Sequence, residues 1–166
     1  CDPKLVASTL FAHSQQSKLY ERLSFSTTCA LFLVTVGDGP EKEALRLMNE
    51  GEYLLGTVLD TLASEAAECV VDKVQEEVVR ELKLERAVRF SPGYGGWSLQ
   101  AQPELLGAMK AEKNGIELTE ALMMLPKKSV SGVIVAKREG FSSSPCDVCE
   151  LKSCTKEGCW EKKTED

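Results

Sequence analysis

Apolar and polar positions alternate along this chain in stretches of distinct period, and those periods predict its elements. Cys29 to Val36, CALFLVTV, is a continuous apolar run with β-branched members, closed by Gly37-Asp38-Gly39-Pro40. Such a run reads as a buried strand followed by a turn. Glu41 to Glu50 follows as a helix, with a proline just before it, acidic residues in its first turn and Gly51 after its last. The longest helix is predicted from Glu52 to Leu82. Leu55, Val58 or Leu59, Leu62, Ala66, Val70, Val74 and Val78 recur three or four apart and predict its core-facing stripe. Ala63, Ser64, Ala66 and Ala67 are small enough to admit a neighbouring backbone, while Asp60, Glu65, Glu68 and Asp72 read as its solvated face.

A short strand-like run, ending in Arg89-Phe90, then breaks into a loop up to Trp97 with three glycines, a proline, and the aromatics Tyr94 and Trp97. Pro103 to Asn114 reads as another helix, stopped by Gly115. Ile116 to Leu125 and Ser129 to Ala136 are β-rich runs joined by Pro126-Lys127-Lys128, and they predict an antiparallel hairpin. Residues 1–28 are mixed and polar, with a short helix over Lys4 to His13 and the chain's single histidine as a surface residue. The expected class is α+β: a mainly antiparallel twisted sheet with a long helix, flanking helices and an irregular cysteine-rich C-terminal tail. The divisions are 1–28 as an N-terminal segment, 29–139 as the domain and 140–166 as the tail.

Composition narrows the classes. With 166 residues and 43% hydrophobic content, one core burying roughly two thirds of the unfolded surface is expected. A net charge of -6 argues against nucleic acid as a partner. The sequence has no apolar run of membrane-spanning length and no signal-peptide pattern, so no membrane role and a cytoplasmic location are expected. The first residue is Cys1 rather than Met, which suggests a fragment or processed product.

Seven cysteines are placed unevenly. Cys29 lies in the first strand and reads as a small core residue. Cys146-x2-Cys149-x4-Cys154-x4-Cys159 gathers four thiols within one short stretch. Thiolates at that density select an iron-sulfur cluster or zinc, the cluster ahead because structural zinc sites pair knuckles across a longer spacer. Free or disulfide-paired cysteines are the competing reading.

The loop carries the remaining chemistry. Glycine lets backbone approach a ligand, Tyr94 and Trp97 supply flat apolar surface, and the Arg89 guanidinium is a fork for carboxylate or phosphate. On these residues alone a tight structural turn is as good a reading as a ligand site.

Arg89-x-x-x-Gly93-Tyr94, followed by Gly115-Ile116-Glu117-Leu118-Thr119-Glu120 and Lys128-Ser129-Val130-Ser131-Gly132, resembles the activation (reactivation) domain of cobalamin-dependent methionine synthase, in its stand-alone form. The likeness runs from about Cys29 to Ala136. It implies a domain that binds S-adenosylmethionine over a cobalamin held by a separate methyltransferase or corrinoid protein. There a methyl group from S-adenosylmethionine and an electron from a flavodoxin- or ferredoxin-like donor restore methylcobalamin from cob(II)alamin.

By the same resemblance Arg89 binds the ligand carboxylate, Glu68 its amine, and Gly93, Tyr94, Gly95 and Gly96 form the pocket wall. Where the family has Pro-Ala-Cys, this chain has Gly95-Gly96-Trp97, and Trp97 receives no role. The resemblance also places Glu120 and Ser129-Val130-Ser131 near the cobalamin face, against a reading as ordinary strand residues. A tail cluster would relay the electron. The competing function is a non-catalytic binding module with a degenerate pocket and a zinc-stabilised tail. An independent methyltransferase is disfavoured, because no G-x-G-x-x-G pattern opens a helix.

Overall fold

A computed structural model describes residues 28–85, 87–94 and 96–136. The apolar run at the start of that range forms strand β1, Cys29–Thr35. Asp38 then precedes helix α1, Gly39–Asn49, with Pro40 in its first turn and Arg46 in its last. Arg46 binds Glu43 and Glu50 on the helix surface. After Gly51, whose φ of 90° suits glycine, the chain enters helix α2, Tyr53–Glu81. Strand β2, Ala87–Phe90, follows. Beyond the loop come a short 3-10 turn, helix α3 at Gln102–Ala108, and strands β3, Glu117–Leu118, β4, Met124–Leu125, and β5, Ser129–Ala136.

The sheet order is β1-β5-β2, with both pairings antiparallel. The last strand is therefore the central one. Its composition, SVSGVIVA, suits burial on both faces. The predicted hairpin between Ile116–Leu125 and Ser129–Ala136 is not formed. Instead β3 pairs with β4, closing a small hairpin inside the first run, while β5 leaves through Pro126 to pair with β1 and β2. Apolar content marked both runs as β, but only partner availability chose the pairing.

Alternation sorts side chains onto two faces. Phe32, Val34 and Ile134, with Ala30, Ala87 and Val130, meet Val71, Val74 and Val78 of α2. On the opposite face Cys29, Val88, Phe90, Val133 and Val135 pack against Trp97, Ala101 and Leu105. A satellite cluster of Leu106, Ala111 and Ile116 continues that layer.

Two helical expectations are corrected. In α2 the fully buried residues are Gly56, Ala63, Ala67 and Val71, one position along from the predicted stripe over the first half of the helix, while Val74 and Val78 of that stripe pack on the sheet as expected. Leu55, Val58 and Leu62 stand 54%, 47% and 59% exposed. Close approach is the cause: a Cβ placed on Gly56 would lie 2.6 Å from Met48 Cγ and 2.8 Å from the Ala44 carbonyl oxygen of α1. A leucine turned inward here would not fit. The predicted helix Pro103 to Asn114 is broken after Ala108, where Lys110 takes a left-handed φ of 53° and a 3-10 turn runs over Ala111–Asn114. The break folds Ala111 and Ile116 back onto Leu106; a straight helix would carry them away.

Candidate functional site

In β2 the alternation that buries Val88 and Phe90 sends Arg89 to the α2 face, opposite Ile134 in the register. There α2 presents Glu68 and Asp72, four residues apart on one side of the helix. Arg89 Nη2 donates to Glu68 Oε2 at 3.0 Å, and Nη1 donates to Asp72 Oδ1. The guanidinium side chain is 28% exposed, and the carboxylate side chains are 52% and 62% exposed. Among the described residues β2 is an edge strand, so this cluster sits at a border of the sheet. Ion pairs so wet contribute about 0.2–1 kcal/mol each, little enough for a ligand carboxylate to compete for the fork.

Past Phe90 the chain folds on itself. Tyr94 N–H donates to the Ser91 carbonyl at 3.2 Å, Trp97 N–H to the Tyr94 carbonyl at 2.9 Å, and Gly93 N–H to the Trp97 carbonyl at 2.7 Å. Gly93 and Gly96 take φ of 95° and 75°, conformations that side chains resist. Trp97, 1% exposed, anchors this turn in the core, while Tyr94, 67% exposed, projects from it. The loop is thus both a tight turn and a platform. Gly95 lies outside the described residues.

Strand β2 pairs only with Val133 to Ala136, so among the described residues no strand lies beside Ser129 to Gly132 on that flank. A groove of about 170 Å³ there is lined by Ser64, Ala67, Glu68, Lys128, Ser129 and Val130. Lys128 Nζ, its side chain 14% exposed, bridges Asp60 at 2.8 Å and Ser64 Oγ at 2.9 Å. Next to it Lys127 binds Glu41 of α1 at 2.6 Å. That hydrogen bond holds the Glu41 carboxyl below the usual carboxylate range and raises the Lys127 ammonium above its ordinary value. Together the two lysines pin the start of β5 to both helices.

The structure therefore brings Glu68 and Arg89 together on the α2 face of the sheet, whereas Gly93, Tyr94 and Gly96 belong to the loop after β2, whose Trp97 packs on the opposite face. It adds Asp72, Ser64 and Lys128, which sequence reasoning left in a solvated face, a helix and a linker. The spacing of Glu68 and Asp72 was the available signal. Of the residues placed near a cobalamin face, Glu120 is exposed in the β3–β4 turn, whereas Ser131 is 2% exposed with no hydrogen-bond partner for its hydroxyl. Ser129 donates to the Pro126 carbonyl at 2.6 Å and lies 2.9 Å from Thr35 Oγ1. A larger cavity, about 570 Å³, is lined by Leu106, Lys110, Ile116 and Leu118. It contains none of the predicted site residues. Cys146, Cys149, Cys154 and Cys159 lie outside the described residues.

A guanidinium flanked by carboxylates stands on the rim of an antiparallel sheet backed by a long helix, in a domain of the α+β class. The family whose sequence model matches is described as vitamin B12 dependent methionine synthase, activation domain; the match covers residues 19–142, and this chain belongs to that family. The resemblance read from Arg89 to Gly132 is thereby confirmed. Among solved structures, a crystal structure of the MetH reactivation domain bound to AdoHcy is similar over 70% of this chain, with a TM-score of 0.58 and 21% identity. At that identity the likeness establishes the fold. This chain spans 42% of that one. No curated protein matches the chain.

Proposed function

We propose that this chain binds S-adenosylmethionine and presents it to a cobalamin carried by a separate methyltransferase, as the reactivation step of methionine synthase requires. The observation that supports this most is the pairing of Arg89 with Glu68 at the sheet edge, in a member of the activation-domain family. The two charges match the two ends of an α-amino acid. Arg89 takes the ligand carboxylate through its planar fork, and Glu68, in the groove wall, takes the ammonium. Tyr94 and the backbone at Gly93, Gly95 and Gly96 form the wall against which the rest of the ligand lies.

Bound to its own carrier, cobalamin supplies the nucleophile for methyl transfer. The contribution of this chain is then proximity and orientation: it holds the sulfonium at a fixed place and direction. A low-potential electron comes from a flavodoxin- or ferredoxin-like partner in the cytoplasm. The tail cysteines, with an iron-sulfur cluster or zinc, are the proposed relay or docking element.

One observation favours a second reading. Both guanidinium ends of Arg89 already hold carboxylates, as a pocket retired from ligand binding would. In that case the chain is a non-catalytic binding module whose tail holds zinc.

Calorimetric titration with AdoHcy separates the two. The wild type is expected to bind, and Arg89→Ala to lose about 2 kcal/mol, about thirtyfold in affinity, as for one charge-assisted hydrogen-bonded pair. No binding by the wild type, together with zinc in the purified protein, would establish the second reading. Equal affinity in the variant would show that the ligand lies elsewhere.

A further inference from the structure

Glu68 and Asp72 hold the same guanidinium, yet they do not occupy equivalent places. Glu68 lines the groove beside Ser129 and Val130, whereas Asp72 is absent from that lining. Each carboxylate takes a different end of the fork, Glu68 at Nη2 and Asp72 at Nη1. They stand one helical turn apart on α2, about 6 Å along the axis. One therefore faces the ligand space, and the other grips Arg89 from outside it.

We propose that Asp72 is a positioning residue, holding the Arg89 guanidinium through Nη1 so that its opposite end stays aimed at the groove when Glu68 turns from Nη2 to a ligand ammonium. The inference rests on the reading of Arg89 as the partner of the ligand carboxylate. An arginine side chain has many rotamers, and one already fixed loses less freedom when it takes a ligand. The negative charge of Asp72 would by itself repel a carboxylate. At 62% exposure, however, that field is screened by water, while the hydrogen bond that orients the fork persists. Orientation accordingly outweighs repulsion here. Glu68, freed from the same fork, keeps its charge for the ammonium, so the cluster exchanges one partner without losing its geometry.

The test compares two ligands on the full chain: AdoHcy, which carries the amino-acid end, and methylthioadenosine, which lacks it. Asp72→Ala is expected to weaken AdoHcy about five- to tenfold and to leave methylthioadenosine unchanged, with the melting temperature shifted by no more than about 4 °C. Asp72→Glu, which keeps the charge and can still reach, should recover part of the loss. In an Arg89→Ala background, Asp72→Ala should have no further effect, because its action passes through Arg89. Unchanged or tighter AdoHcy binding by Asp72→Ala would overturn the proposal, as would an equal loss for both ligands. If the wild type binds no AdoHcy, the pocket assignment fails and this inference with it; if it binds and only the Asp72 difference is missing, the inference alone fails.

Discussion

Gly132 sits in the middle of the central strand, paired with Phe32 of β1, and its replacement by alanine tests how the sheet edge is built. A Cβ there would lie 2.1 Å from the Phe90 carbonyl oxygen and 2.8 and 2.9 Å from two ring carbons of Phe32. The backbone at Gly132 is extended within a strand, so alanine carries no conformational penalty and the whole cost is steric. The Phe32 ring has some room to turn. The carbonyl does not, because Phe90 pairs with Val133 in the same sheet and is itself 4% exposed. Relief requires β2 to move away from β5. Overpacking of this kind costs about 1–3 kcal/mol, and a backbone clash on a central strand belongs at the upper end.

At roughly 4 °C per kcal/mol for a chain of this size, Gly132→Ala should lower the melting temperature by about 12 °C. Gly107→Ala is the matched control. That glycine lies in α3 with nothing within 4 Å of its added Cβ, so alanine there should stabilise by about 0.5–1 kcal/mol through helix propensity. Circular dichroism melts of both variants read the difference. A Gly132→Ala protein melting within about 2 °C of the wild type would refute the packing argument. So would a Gly107→Ala protein that is less stable than the wild type. Because Phe90 follows Arg89 directly, the same displacement of β2 should also weaken AdoHcy binding beyond what the loss of stability explains.

Trp97 and Tyr94 should separate anchor from platform. Trp97→Ala removes a fully buried ring and should cost about 3–5 kcal/mol in denaturant unfolding, whereas Tyr94→Ala should change stability by less than about 0.5 kcal/mol and weaken AdoHcy in the same calorimetric assay. For the α1–β5 connection, Glu41→Gln should be less stable than the wild type at pH 7. The carboxyl lies below its ordinary 4.5 because Lys127 hydrogen-bonds it. Its stabilisation is therefore present above that ordinary value and is lost as pH falls through the lowered one. Melts of the two proteins should converge on acidification, and a gap that persists below the carboxylate range would refute the assignment.

Part of the candidate site can be read from the sequence because its residues carry distinct local chemistry. Arg89, Gly93 and Tyr94 stood out through residue type and spacing, and the family resemblance connected them with Glu68 across an intervening stretch. Asp72 did not stand out. A carboxylate on a long helix is the commonest kind of solvated residue, and only the register that turns Arg89 toward α2 gives it a partner. Trp97 had no assignment because burial beneath the far face of the sheet leaves no local mark on the sequence.

The sequence by itself determined that an apolar strand precedes a turn and two helices, that a glycine-rich loop follows a short strand, and that β-forming runs end the domain. Those features depend on residues within a few positions of one another, so propensity and period record them. The tertiary structure alone decided which runs pair, which side of α2 faces inward, and where the last helix breaks. Each of these was set by contact between distant segments: β5 entering between β1 and β2, Gly56 admitting α1, and Leu106 drawing Ala111 and Ile116 back onto the core. A helix with apolar residues on both sides has no preferred face until a neighbour comes close enough to admit only the small ones.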